Sequence, residues 1–197
     1  MSKTARMLLK ASFIGTFAEG MLLPLWATFT DKVGGSILDA GIGYAVFSIA
    51  TGVVVMSVGS TEFFERYVRW FLFWGFLLAG MGDIFYMMVS NKWELFAVQA
   101  LIGVSLGLAN PAWDALYSDD EDDGDKSSAS KWSFWTGGYS FVTGLSALAG
   151  ALLVNYFGFN TMFFMMFLFD CVSITYCYVL ARQPNGQEGD NPGNQAA

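Results

Sequence analysis

Six long apolar runs fill almost the whole chain, and only short polar segments separate them. Each run is about 20 residues long, which is the length that an α-helix needs to cross a bilayer core of about 30 Å. The runs lack the alternation of polar and apolar residues that a membrane β-strand shows. We therefore predict an all-α integral membrane protein with six transmembrane helices, at Leu8–Phe29, Ile37–Val58, Arg69–Ser90, Glu94–Tyr117, Ser133–Tyr156 and Phe159–Ala181.

The composition agrees with a lipid environment and leaves little chain for any other domain. Of the 197 residues, 54% are hydrophobic and 17% aromatic, and the mean hydropathy is +0.45. These values exceed those of ordinary soluble domains. We predict one six-helix transmembrane domain over residues 1–182. A disordered tail over 183–197 is expected to follow, because it is rich in Pro, Gly, Asn and Gln and cannot bury a core.

The charged residues do not indicate a nucleic-acid partner, a metal site or an enzyme. Most of the net charge of −7 comes from the run Asp119–Asp125, and the chain has no basic stripe for phosphates. That run imitates the start of a calcium loop, but Ser130 stands where the bidentate acid should lie. The chain also has no histidine, the commonest metal ligand and general base. We predict no metal, no cofactor and no catalytic activity.

The basic residues are distributed unevenly between the two predicted faces of the membrane. With six spans, both termini share one side, and eight of the ten basic residues fall on it. Only Lys32 and Lys92 lie on the other side. Because Lys and Arg accumulate in cytoplasmic segments, we expect both termini and the acidic loop to be cytoplasmic, in a plasma or inner membrane.

The first three runs can be superimposed on the last three. The pattern G-x-x-x-P-x-W begins at Gly20 in the first span and again at Gly107 in the fourth. A Gly-Tyr pair opens the second span and recurs in the fifth, and Asp83 in the third span corresponds roughly to Asp170 in the sixth. Because the first and fourth spans run in opposite directions, this pattern predicts a 3+3 inverted repeat.

Small residues predict which helices face protein. Ser48-x-x-x-Gly52 and Ser140-x-x-x-Gly144 give the second and fifth spans thin faces, at which helix backbones approach closely in lipid. The third and sixth spans, rich in Phe, Leu and Met, are expected to face lipid. Asp83 and Asp170 lie on these two spans, and we expect them to pair with Tyr, Ser or backbone groups of neighbouring helices.

Several short motifs occur in the order found in one transporter family. They are Pro24-Leu25-Trp26, Gly35-Ser36 with Ala40-Gly41, Gly103-x-x-x-Gly107 with Pro111-Ala112, Ala115-Leu116-Tyr117-Ser118-Asp119, and Gly150 with Phe157-Gly158-Phe159. Through these motifs, residues 17–180 resemble the N-terminal half of a major facilitator superfamily (MFS) transporter. The resemblance implies a central cavity lined by the first span, and transport of a small solute.

Three departures from the family pattern bear on mechanism. Before the third span, Glu65, Arg66 and Arg69 keep the acid and basic residues that the resemblance assigns to gating, but Val68 replaces a glycine. Gln99 stands where the family usually has an arginine in the fourth span, so proton coupling through that arginine is not expected. Family members usually have twelve spans, whereas this chain has six.

Four residues are candidates for substrate binding or proton coupling: Glu19, Trp26, Asn110 and Asp114. A charged group inside the membrane costs on the order of a few kcal/mol or more, so each one needs a reason. Glu19 lies near the middle of the span that the resemblance places at the cavity. The alternatives are a structural hydrogen bond for Glu19, a solvated helix-end acid for Asp114 and interfacial anchoring for Trp26.

Three interpretations of the function remain open. The leading one is a half-size MFS-like secondary transporter of a small solute, assembled as a homodimer or with a second six-helix half. The second is a non-transporting membrane scaffold or subunit, which would have a dry, packed bundle. The third is a truncated or split half of a transporter. The sequence does not identify the solute.

Overall fold

A computed structural model of the chain describes residues 3–59, 61–119 and 128–183. All regular elements in these ranges are helices: α1 (Lys3–Gly20), a 3₁₀ turn (Leu23–Leu25), α2 (Trp26–Lys32), α3 (Ile37–Val58), α4 (Glu62–Met88), α5 (Lys92–Asp119), α6 (Ser128–Phe157) and α7 (Phe159–Ala181). Two segments on which the sequence analysis made predictions lie mainly outside these ranges, namely the acidic run after Asp119 and the tail after Gln183.

The six predicted spans are confirmed. In the described ranges, six helical segments are long and apolar enough to cross a membrane. Each of these segments covers all or most of one predicted run. The first span consists of α1, the 3₁₀ turn and α2. Pro24 lies in that turn, where its missing N–H cannot continue the α-helical ladder. The third span begins earlier than predicted, at Glu62, and its backbone leaves helical geometry at Tyr67 (φ −119°, ψ 21°).

The packing of the spans supports the predicted inverted repeat. The second span packs on the fourth, and the fifth packs on the first. The third packs on the fourth, and the sixth packs on the first. The third and sixth also pack on each other. These five interfaces map onto one another when spans one and four, two and five, and three and six are exchanged, as expected for a two-fold axis between spans three and six. The contacts of the fifth span with the sixth, and of the first with the second, have no equally extensive counterparts.

Equivalent glycines of the two repeats make equivalent helix contacts. A Cβ at Gly20 of the first span would collide with Ser146 of the fifth. At the equivalent Gly107 of the fourth span, a Cβ would lie 2.6 Å from the Cβ of Val54 in the second. Both positions therefore require glycine because two helix backbones pass close together there.

The second and fifth spans present open faces. Only 6% of the residues in the most apolar stretch of α3 and 11% of those in α6 are buried, against a third to a half in the other spans. A Cβ atom added at Gly52 or at Gly144 would meet no atom of another helix within 4 Å. Large apolar side chains such as Ile49, Met56 and Leu148 are exposed on the same helices.

The expectation that the third and sixth spans face lipid is only half right. α7 exposes Phe164, Leu168 and Val172 on one face. Its other face packs on α1 and α4, and there Met166 and Ser173 are buried. The apolar residues of α7 therefore form two faces, one exposed and one packed against neighbouring helices.

Candidate functional site

Two adjoining cavities lie between the spans. The first, here the terminal-side cavity, has a volume of about 380 Å³ and is lined by residues including Ser12, Asn110 and Asp114, near the end of the bundle where the chain begins. The second, the distal cavity, has about 330 Å³ and extends from Glu19 towards Trp26. All six spans contribute to the wall of the distal cavity. Neither cavity is fully enclosed, and the walls of both are partly polar.

Glu19 lies at the junction of the two cavities. It lines both of them, together with Thr16, Ala79, Leu106 and Tyr139. Although it sits near the middle of the first span, its side chain is exposed to the cavity space. It lies in the last turn of α1, shortly before the 3₁₀ turn that contains Pro24. A carboxyl group at this point can be reached from either cavity.

The other three candidate residues also line the cavities. Asn110 and Asp114 are exposed and stand one helical turn apart in α5, in the wall of the terminal-side cavity. Trp26 lines the distal cavity. Its indole N–H donates to the carbonyl oxygen of Ala40 at 2.9 Å, and its ring packs on Gly43. Trp26 therefore connects the first span to the second and forms part of the cavity wall between them.

Asp83 and Asp170, which we expected to pair with Tyr, Ser or backbone groups of neighbouring helices, lie together in the wall of the distal cavity. Both are buried, with 3% and 2% of their surface exposed, and both line the distal cavity with Glu19. Their side chains hydrogen bond to each other. Such a bond between two carboxyl groups needs one proton, so the pair carries at most one negative charge.

A signal for this pair was present in the sequence. Asp83 and Asp170 are 87 residues apart, the same separation as Gly20 and Gly107. In an inverted repeat, the two spans next to the axis pack on each other, so equivalent residues on them can meet. The repeat therefore predicted an Asp–Asp contact that an assignment of these spans to lipid obscured.

Aromatic rings close the terminal-side cavity. Trp113 of α5 and Trp135 of α6 line it, and their ring centroids are 4.2 Å apart. Phe13 of α1 stacks on Trp135 at 5.3 Å. The Nε1 atom of Trp113 is buried and has no hydrogen-bond partner in the described part of the chain. These rings join the first, fourth and fifth spans at one end of the site.

The family model for the Major Facilitator Superfamily matches residues 8–196. The chain belongs to the major facilitator superfamily. A comparison with curated proteins gives no match. The family assignment agrees with the six apolar helices and identifies an integral membrane protein of a transporter family, not of an enzyme family. The resemblance noted from the sequence motifs is confirmed.

The residues that resemble the MFS gating loop lie away from the cavities. Glu65, Arg66 and Arg69 belong to the first turns of α4, on both sides of the break at Tyr67. Arg66 and Arg69 border a separate hollow of about 200 Å³, and Arg69 Nη1 donates to the carbonyl oxygen of Gln183 at 3.0 Å. The structure thus joins this segment to the end of the sixth span and leaves it outside the central site.

The opposite end of the bundle carries its own polar contact. Asp39 accepts hydrogen bonds from the backbone N–H and hydroxyl of Ser36, which cap α3. The Nζ atom of Lys92 lies 3.1 Å from Asp39 Oδ1. This contact fastens the start of α3 to the start of α5 beyond the distal cavity.

Proposed function

We propose that this MFS protein is a six-helix half of a secondary active transporter, and that a small solute passes through its two cavities. The observation that supports the proposal is the hollow, partly polar centre, in which Glu19 borders both cavities. A non-transporting scaffold is expected to have a dry, packed bundle. The cavities therefore favour transport over the scaffold interpretation.

Glu19 is proposed as the residue that couples transport to a proton or binds the solute. It is the candidate acid that reaches both cavities, whereas Asp114 reaches one. An ionisable group in a membrane interior is typical of proton and solute pathways. Asn110, Asp114 and Trp26 are proposed to contact the solute on either side of it. Glu65, Arg66 and Arg69 are proposed to act in gating from the end of the bundle.

A second six-helix half is proposed to cover the open faces of α3 and α6. These faces carry Gly52 and Gly144 in open space, together with exposed apolar side chains. If the chain acts alone, two copies form a homodimer about an axis along the membrane normal. Small residues at this spacing allow the close helix contacts that such an interface needs.

The termini are proposed to be cytoplasmic, in a plasma or inner membrane. The unequal distribution of Lys and Arg supports this orientation. Single cysteines at Ser127 and Asn91, in a background without Cys171 and Cys177, should react with an impermeant thiol reagent from opposite sides. Reaction from the same side would contradict the six-span topology.

Transport requires that the junction of the cavities open to each side of the membrane in turn, and this can be tested without knowing the solute. In the same cysteine-free background, Thr16→Cys should react with an impermeant thiol reagent added to either side of proteoliposomes of known orientation. Ala18→Cys is the matched control because Ala18 is fully buried on the same helix and should not react. If Thr16→Cys is protected from both sides, the bundle is closed and the transport proposal is wrong.

A further inference from the structure

The walls of both cavities carry acidic residues without basic ones. Glu19, Asp83, Asp114 and Asp170 line one or both cavities, whereas no lysine or arginine among residues 3–59, 61–119 and 128–183 does so. Lys92, beyond the distal cavity, is held by Asp39, and Lys32 lies over the ring of Phe159 at 5.0 Å. A carboxylate formed on these walls has no lysine or arginine beside it, which favours a cationic occupant and opposes an anionic one.

The distal cavity contains an acidic group that its protein neighbours leave incompletely satisfied. Asp83 Oδ2 is buried and receives no hydrogen bond from an N–H or hydroxyl group of the described residues. The carboxyl of Asp170 is its neighbour, and the hydrogen bond between these two carboxyl groups requires at least one proton. A buried carboxylate oxygen without a donor is costly, so a positively charged ligand beside it would be stabilised. The same cavity also contains the buried Oγ1 of Thr143, which has no partner in the described ranges.

The shape and lining of the distal cavity favour an organic cation over a metal ion. In the described part of the chain, no group of three or more Asp, Glu, His or Cys side chains could hold a metal ion. Aromatic side chains instead form much of the wall, namely Trp26, Tyr44, Phe47 and Tyr86. A ring face attracts an ammonium group within about 6 Å of its centroid, and apolar walls accommodate the rest of an organic molecule.

We propose that the distal cavity binds an organic ammonium ion, with Glu19 and the Asp83–Asp170 pair as its counter-charge and the aromatic rings as its wall. This inference rests on the proposed transport function, because it names the class of solute that would enter the pathway. It differs from that function in its test, which measures binding and requires no transport.

Gln99 gives the sharpest test of the inference. This residue is 6% exposed and lines the distal cavity with all three carboxyl groups. An arginine here would supply an internal cation and satisfy the carboxylates without a ligand. Gln99→Arg should therefore abolish binding of an organic ammonium ion. Gln99→Met, of similar size and without charge, is the matched control and should retain binding.

The experiment uses the purified full chain in detergent and three single-ring probes. They are the benzyltrimethylammonium cation, net-neutral benzyldimethylamine N-oxide and the phenylmethanesulfonate anion. Equilibrium dialysis should show the cation bound at least about tenfold more tightly than either of the other probes. Gln99→Arg should lose at least about tenfold in affinity for the cation, whereas Gln99→Met should stay within about threefold. Each variant is first checked for a single symmetric peak in size-exclusion chromatography.

If Gln99→Arg does not fold, Asp83→Asn replaces it, since this change keeps size and hydrogen bonding but removes the charge. It should also lower affinity for the cation at least about tenfold. Equal or tighter binding of the neutral or anionic probe overturns the inference, as does no binding of any probe. Unchanged binding by a folded Gln99→Arg or Asp83→Asn variant also overturns it. Labelling of Thr16→Cys from both sides would leave the transport proposal standing in each of these cases.

Discussion

The two three-helix repeats share a scaffold but differ in chemistry. Gly20 and Gly107, at equivalent positions, both allow a close crossing with the neighbouring helix. Glu19 and Leu106, also 87 residues apart, both line the junction of the two cavities, but only one of them carries a charge. The comparison teaches that the shared glycines build the same helix crossing in each repeat, whereas the difference between Glu19 and Leu106 places an ionisable group on one side of the junction only.

Trp26 and Trp113 occupy equivalent positions in the two repeats but have different surroundings. Trp26 hydrogen bonds to Ala40 and lines the distal cavity. Trp113 lines the terminal-side cavity, and its Nε1 has no partner in the part of the chain that the structure describes. Inversion of the repeat therefore places equivalent rings in different cavities, in different hydrogen-bonding environments.

The largest effect should come from filling the shared glycine positions. Gly20→Leu and Gly107→Leu force a side chain into a helix crossing and should each destabilise the fold by about 1–3 kcal/mol or more. The apparent melting temperature in detergent, followed by tryptophan fluorescence, should fall for both. Gly52→Leu is the control because its position is open in the structure. If Gly20→Leu melts at the same temperature as Gly52→Leu, the shared-scaffold interpretation is wrong.

The Asp83–Asp170 pair should behave as one unit across the two repeats. Removing either partner by alanine leaves the other buried without its hydrogen bond, which should cost about 1–3 kcal/mol. The double alanine variant should lose less than the sum of the single losses, since the second change removes no remaining contact. Urea or thermal unfolding of the four proteins measures this coupling. Additive losses would show that the two carboxyl groups do not interact.

The sequence was sufficient for the architecture. Span length and composition predicted all six helices, because a bilayer core imposes one length on each of them. The repeat was visible because Gly20 and Gly107 meet the same steric demand. The position of Glu19 at the cavity was also expected, from its depth in the first span and from the family resemblance.

The rest of the site depends on helix rotation, which average composition does not reveal. The third and sixth spans are apolar over most of their surface, so Asp83 and Asp170 were assigned to lipid-facing helices. In the structure, one inward stripe of each helix carries these acids to the cavity. The charge balance of the cavity wall likewise depends on which side chains converge, and the position of Gln99 beside the three carboxyl groups became visible only in the structure.

The outward faces of α3 and α6 provide a further comparison, because each repeat exposes one of them. Gly52→Leu and Gly144→Leu should leave the monomer folded and weaken association of two copies at least about tenfold. Förster transfer between labelled copies in liposomes, measured over a range of protein-to-lipid ratios, would show the change. A wild-type chain that stays monomeric in both mild detergent and lipid would contradict the homodimer.

A smaller effect is expected from moving the charge between the repeats. Glu19→Leu alone should lower affinity for benzyltrimethylammonium at least about tenfold. Adding Leu106→Glu returns a carboxyl group to the same junction from the other repeat and should restore affinity to within about threefold of wild type. Dialysis with the labelled cation measures both. If the double variant binds the cation as weakly as Glu19→Leu does, a carboxyl group at the junction is not sufficient. Binding then requires that the carboxyl group come from position 19.

The central proposal is that Glu19, the ionisable member of the pair whose equivalent is Leu106, couples transport to a proton or binds the solute. The most direct measurement is uptake of labelled benzyltrimethylammonium into proteoliposomes under imposed pH gradients of both directions. Wild type should accumulate the cation, and so should Glu62→Gln, which neutralises an exposed acid outside both cavities. Glu19→Gln should lose at least about tenfold of the gradient-driven uptake while its melting temperature stays unchanged. Gradient-driven uptake at the wild-type rate in Glu19→Gln would contradict the account.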